Sequence, residues 1–169
     1  MVIKVSEIPA EGVQIESVSA FPEPFQDRSW RLEDVDLAIS RDGDTVFVDG
    51  RLDARMPQVC SRCLEPYEAR VEADVHTRFV PSPGRGEERE LGADDLESDV
   101  YDHDQIDLGA LLETEAALGL PMKPLCREDC KGLCPSCGVN RNAVACACAP
   151  ATGDPRWAAL KTLADRLHR

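Results

Sequence analysis

The sequence predicts an α+β fold: a mostly antiparallel β domain at the amino end, then a helix and a small cysteine-rich module that itself ends in a helix. Three observations predict it. Apolar and polar residues alternate through much of the first 80 residues. A capped amphipathic segment follows residue 107. Six of the eight cysteines lie between residues 126 and 148, among turn-forming residues. The boundaries that follow are 1–80 for the β domain, 81–105 for an acidic flexible linker, and 106–169 for the helix, the cysteine module and the terminal helix.

Each element has its own signal. Val2-Ile-Lys-Val5 is a short β run. Val35-Asp-Leu-Ala-Ile39 leads into the turn Arg41-Asp-Gly-Asp44, and Thr45-Val-Phe-Val-Asp-Gly-Arg-Leu-Asp-Ala54 resumes with Val46, Val48 and Leu52 on one face, interrupted at Gly50. Two alternating runs joined by Asp-Gly signal a hairpin. A further strand runs from Tyr67 through Val71, Val75 and Phe79 to Val80. From Gly84 to Asp104 nine acids face two arginines, so the segment repels itself and reads as a linker. Asp107 caps the next helix, with Ile106 and Leu111 placed for a hydrophobic staple. Leu108, Leu111, Leu112 and Ala116 form its stripe, which should pack on the sheet, and Leu120-Pro121 ends it. Residues 122–150 have too little aliphatic material for a core and should fold around metal. Asp154-Pro155 then starts a terminal helix with Trp157, Leu160, Leu163, Ala164 and Leu167 on one face.

Bulk properties narrow the class. No run of 18 apolar residues exists, and Met1-Val-Ile-Lys-Val-Ser-Glu-Ile-Pro9 lacks a secretory h-region, so the expectation is a cytoplasmic protein with no membrane association. Thiols stay reduced there, which argues against a disulfide framework. The net charge of −13 is unevenly spread. Residues 1–118 carry 11 Lys+Arg against 28 Asp+Glu, whereas residues 119–169 carry 8 against 4. Lys123, Arg127, Lys131 and Arg141 are therefore candidate contacts for RNA or a partner.

The cysteines fall as Cys60-x-x-Cys63, Cys126-x-x-x-Cys130, Cys134-x-x-Cys137 and Cys146-x-Cys148, so every one has a near partner. Eight thiolates suffice for two tetrahedral Cys₄ sites, and the expected cofactor is one or two structural zinc ions. Cys60-Ser-Arg-Cys63 sits between two strands, the form of a zinc knuckle, and Pro66 disfavours the helix that a thioredoxin-type motif would open. In Cys134-Pro-Ser-Cys-Gly138 the glycine permits the left-handed backbone that turns amides toward the sulfurs. Two pairings are open. One joins Cys134 and Cys137 to Cys146 and Cys148, leaving Cys126 and Cys130 for Cys60 and Cys63. The other puts Cys60 and Cys63 with Cys134 and Cys137. Short loops cost less to close, which favours the first. Iron–sulfur, disulfide and redox roles use the same atoms and are the competing readings.

Catalysis has little to stand on. His76, His103 and His168 lie far from the cysteines in sequence, and no nucleophile elbow, H-E-x-x-H, P-loop or dinucleotide fingerprint is present. The expectation is a protein that is not an enzyme and has no small-molecule substrate.

The order Val59-Cys-Ser-Arg-Cys-Leu-Glu-Pro66, an acidic stretch, Ile106-Asp-Leu108, Leu120-Pro-Met-Lys-Pro-Leu-Cys126 through Cys134-Pro-Ser-Cys-Gly138, Cys146-Ala-Cys148 and Asp154-Pro-Arg-Trp-Ala-Ala-Leu160 resembles the bacterial YceD family of large-subunit ribosomal RNA accumulation proteins. The resemblance runs from about residue 35 onward, in the family's cysteine-rich branch. It implies a non-catalytic role in 23S ribosomal RNA accumulation and large-subunit biogenesis. The implied partners are a pre-ribosomal particle, its rRNA, or a basic ribosomal or assembly protein. The alternative is a zinc-stabilised protein–protein interaction module without an RNA role.

Overall fold

Three long strands position everything else. The computed structural model describes residues 1–83, 92 and 98–148. Strands β1 (Val2–Lys4), β2 (Val13–Ile15), β3 (Arg31–Asp42), β4 (Thr45–Val59), β5 (Pro66–Pro81), β6 (Ser98–Tyr101) and β7 (Gln105–Asp107) precede helix α1 (Leu108–Leu118). The main sheet has the order β2-β3-β4-β5-β6, antiparallel except for the parallel β5–β6 pair, and β1 pairs with β7 in a separate antiparallel ribbon. This is an α+β fold with mostly antiparallel sheets.

The period-two pattern decides which face is buried. Val46, Val48, Leu52, Ala54 and Met56 of β4 point inward with Val35, Leu37 and Ile39 of β3 and Val71 and Val75 of β5. The break at Gly50 has a steric cause: a Cβ there would sit 1.9 Å from the Asp36 carbonyl oxygen. The outer face is charged and cross-strand paired, with Arg70 on Asp53 at 2.7 Å and Arg55 on Glu33 at 2.6 Å.

Helix α1 covers the buried face as its stripe requires. The Asp107 carboxylate accepts from the Gly109 and Ala110 amides, and Leu108, Leu111, Leu112 and Ala116 are buried in the same cluster as the sheet's apolar face. Ile106 and Leu111, the expected staple pair, are both buried there. The helix thus shares a core with the β domain.

Two features depart from the sequence reading. The far end of the 81–105 stretch is not a linker: residues 98–101 add β6 to the sheet edge, and a turn at 102–104 leads into β7. The acids dominate the composition there and hide Val100 and Tyr101, whose backbone can pair; the Tyr101 hydroxyl donates to the Asp44 carbonyl at 2.8 Å. Most of the linker and all of the terminal helix lie outside the described residues. The second departure is Phe21 and Phe25 in the connection from β2 to β3. Both are buried, and Trp30 meets Phe25 edge-on with centroids 5.7 Å apart. No helix among the described residues is long and apolar enough to cross a membrane.

Candidate metal centre

The β4–β5 hairpin ends in residues 60–65, and this loop is a knuckle built by its own backbone. The Cys60 amide donates to the Glu65 carbonyl at 3.0 Å, the Leu64 amide donates to the Cys60 carbonyl at 2.9 Å, and Leu64 takes φ 60°. Residues 134–139 repeat it. There the Cys134 amide donates to the Val139 carbonyl at 2.9 Å, the Gly138 amide donates to the Cys134 carbonyl at 2.8 Å, and Gly138 takes φ 73°. In both loops the amides two and three residues on, Arg62 and Cys63 in one, Ser136 and Cys137 in the other, donate to the first sulfur. The same local geometry thus arises from Cys-Ser-Arg-Cys-Leu and Cys-Pro-Ser-Cys-Gly, with leucine in the first loop holding the left-handed position that glycine adopts freely.

Each knuckle meets two further cysteines. Cys60, Cys63, Cys126 and Cys130 form one group, and Cys134, Cys137, Cys146 and Cys148 form another; within each group all four sulfurs lie within 4.8 Å of one another. This is the grouping of the first pairing. In the first group the Cys60 and Cys130 sulfurs are 3.7 Å apart, as are those of Cys63 and Cys126. A tetrahedron with metal–sulfur arms of about 2.3 Å has edges of about 3.8 Å. The donor set therefore fits a tetrahedral thiophilic dication. A multi-iron cluster would spread the four thiolates over several irons and farther apart. All eight cysteines are unbridged.

The electrostatics agree with that fit. Amides of Cys126, Cys63 and Arg62 hold the Cys60 thiol down to about 6, and those of Cys137 and Ser136 hold Cys134 down to about 6. Their neighbours are pushed the other way. Burial, then crowding by the other sulfurs, raises Cys126 to about 12, and the shared hydrogen bond with Cys137, followed by Cys134, raises Cys148 to about 12. Without a cation, four clustered thiols cannot all ionise; a central dication reverses that cost.

The groups differ in exposure. Cys60, Cys63 and Cys130 are buried with Tyr67 and Leu125 packed against them, whereas Cys137 and Cys148 of the second group are exposed. The first group joins the sheet to the cysteine module, and direct bonds reinforce the junction. The Ser61 amide donates to the Pro124 carbonyl at 2.8 Å, and Arg62 Nη1 donates to the Glu128 and Cys130 carbonyls at 3.2 and 3.0 Å. Arg62 and Asn142 both matter to this geometry: Arg62 stands between two cysteines, and Asn142 is one of the asparagines among the turn formers of residues 122–150. Cysteine spacing carries no signal for either.

The basic candidates are less uniform than the sequence suggests. Arg127 is engaged with Asn142 at 2.9 Å and Asp129 at 3.3 Å. Lys123, Lys131 and Arg141 are exposed on the module. His76 lies on the outer sheet face against Asp49, His103 sits in the turn before β7 at φ 52°, and neither joins a cysteine group; His168 is outside the described residues.

The family profile described as "Large ribosomal RNA subunit accumulation protein YceD" matches residues 48–164. Uncharacterized proteins of Mycobacterium bovis and Mycobacterium tuberculosis are each 36% identical over 134 residues, covering 76% of this chain and 60% of their own length. An uncharacterized protein of Mycobacterium leprae is 30% identical over 107 residues, covering 63% of this chain and 48% of its own. The chain thus spans about 60% of the length of the first of these relatives. No solved structure matches significantly.

Proposed function

This chain belongs to the YceD family of large ribosomal RNA subunit accumulation proteins, and from that premise we propose that it is a non-catalytic factor for 23S rRNA accumulation and large-subunit biogenesis. It acts by binding in the cytoplasm, and two structural zinc ions shape the binding module. The observation that carries the reading is the family match over both cysteine groups together with their geometry. Each group offers four sulfurs, which fill a tetrahedral metal and leave no open position for a reacting water.

Charge favours a protein as the direct contact on the pre-ribosomal particle. The whole chain carries −13, and each zinc tetrathiolate centre adds a formal charge of about −2 to a module whose cations number only a few. Duplex phosphate is repelled by that balance, whereas a basic ribosomal or assembly protein is attracted. Lys123, Lys131 and Arg141 are then specificity contacts at the rim, where RNA can also be touched.

The test is depletion of the protein with quantification of 23S against 16S rRNA, combined with gradient sedimentation of the tagged chain. Loss of 23S and co-migration with large-subunit precursors are expected. Unchanged 23S together with no association with particles would overturn the ribosomal reading and leave the zinc-stabilised interaction module. Cross-linking on the particle then separates protein from RNA as the contact.

A further inference from the structure

We infer that Asn142 is a positioning residue for the first cysteine group, delivered to it by the loop that closes the second, so that metal retention at the two groups is coupled. This rests on the reading that both groups hold metal.

Asn142 lies between Cys137 and Cys146, inside the loop of the second group, yet its side chain reaches the first: Nδ2 donates to the Cys130 sulfur at 3.2 Å. The orientation of the amide is determined by its neighbours. Its Oδ1 accepts from the Lys131 backbone amide at 2.8 Å and from Arg127 Nη2 at 2.9 Å, and both are donors only. The Nδ2 end must therefore face Cys130, and its second hydrogen goes to Asn140 Oδ1 at 2.9 Å. Every hydrogen-bonding position of the amide is used. An N–H directed at a ligating thiolate disperses its charge and fixes the lone pair that faces the metal; such outer partners typically change metal affinity about 10–100-fold.

The loop that carries Asn142 is held from both sides. The Arg141 amide donates to the Gly132 carbonyl at 2.9 Å, the Asn142 amide donates to Asn140 Oδ1 at 3.0 Å, and the Val144 amide donates to the Asn140 carbonyl at 3.0 Å. Beyond Val144 the loop is tied down by Cys146 and Cys148. Opening the second group frees that end and withdraws the donor from Cys130. Coupling of this kind is reciprocal: whatever factor the second metal contributes to the first, the first contributes to the second.

The experiment uses the full chain loaded with cadmium-113 for NMR and with zinc for release into a chromogenic chelator. Two resonances are expected, one of them assigned to the first group by its loss in Cys126→Ser. Asn142→Asp keeps both acceptor contacts but sets a carboxylate oxygen against the sulfur. It should shift that resonance alone and speed zinc release from the first group at least about 10-fold. The double variant Cys146→Ser, Cys148→Ser should speed the same release. The positioning role of Asn142 is overturned if Asn142→Asp binds two metals with the resonance and the release rate of the first group unchanged, and the coupling is overturned if the Cys146→Ser, Cys148→Ser variant releases the first metal no faster than the wild type. If the wild-type chain takes up neither cadmium nor zinc, the metal reading itself falls, and this inference with it.

Discussion

The Arg62 carbonyl accepts a hydrogen bond from the Leu133 amide at 3.0 Å, and that contact ties the knuckle on the sheet to the knuckle of the module. It is possible because Gly132 has no side chain. A Cβ at Gly132 would stand 2.9 Å from the same carbonyl oxygen, and the residue's φ of +67° is one that side-chain-bearing residues enter at a cost. Gly132→Ala should therefore destabilise the docked module by about 2 kcal/mol, from left-handed strain and the forced separation together. Denaturant unfolding of the zinc-saturated protein measures this; a loss under about 0.5 kcal/mol would mean the two knuckles are not held by this approach.

The two knuckles offer an internal comparison. Leu64 and Gly138 occupy the same place in the same hydrogen-bond pattern, at φ 60° and 73°. Leu64 is exposed, so trimming it removes little buried apolar area. Leu64→Gly should raise stability by up to about 1 kcal/mol, the relief of left-handed strain partly offset by glycine's chain entropy. Gly138→Ala has open space around the new methyl and should cost about 1 kcal/mol from φ alone. A destabilising Leu64→Gly would show that the leucine packs on something.

Which parts of this molecule could be read from sequence follows from how local their causes are. The alternation in β3 to β5, the Asp107 cap and the glycine after Cys137 are each written within a few residues, and each appears in the structure where the pattern puts it. The pairing of β1 with β7 spans about a hundred residues and leaves no local trace. Parallel pairing of β6 with β5 likewise depends on a crossover that acidic composition disguises. Spacing narrowed the cysteines to two groupings but could not choose firmly. The choice depends on a hairpin that aims Cys60 and Cys63 at residues more than sixty positions away. Asn142 was invisible because an asparagine in a turn looks the same whether or not its amide reaches a sulfur.

His76 supplies a pH-dependent prediction away from the cysteines. Its ring lies 3.0 Å from an Asp49 carboxylate oxygen, and this hydrogen bond raises its pKa above the usual 6.5. The folded value exceeds the unfolded one, so the pair's contribution is fully present below pH 6.5 and is lost as pH rises through the folded value. Both groups are exposed, so the effect on stability is small. NMR titration should place the His76 midpoint above 6.5 in the wild type and return it toward 6.5 in Asp49→Asn. An unmoved midpoint would show that the contact does not persist in solution.

Metal removal should separate the sheet from the module. The sheet and α1 are held by a continuous apolar cluster that includes Leu37, Leu52, Val75, Leu108 and Leu112 and no cysteine. Residues 126–148 include few buried side chains apart from cysteine, so metal held by the two groups should be what maintains their structure. The exposed Cys137 and Cys148 leave the second group open to solvent, while the first lies beneath Tyr67 and Leu125. A strong chelator should therefore extract zinc in two phases, the second group first. Hydrogen exchange followed through the extraction should lose protection at the Cys134 and Gly138 amides before the Cys60 and Leu64 amides, while Val48 and Val75 keep theirs throughout. The order follows from access and the survival of the sheet from packing, so the two can fail separately. Simultaneous loss at both knuckles would mean that the groups open as one unit. Loss in β4 and β5 would mean that the metal holds the sheet as well as the module.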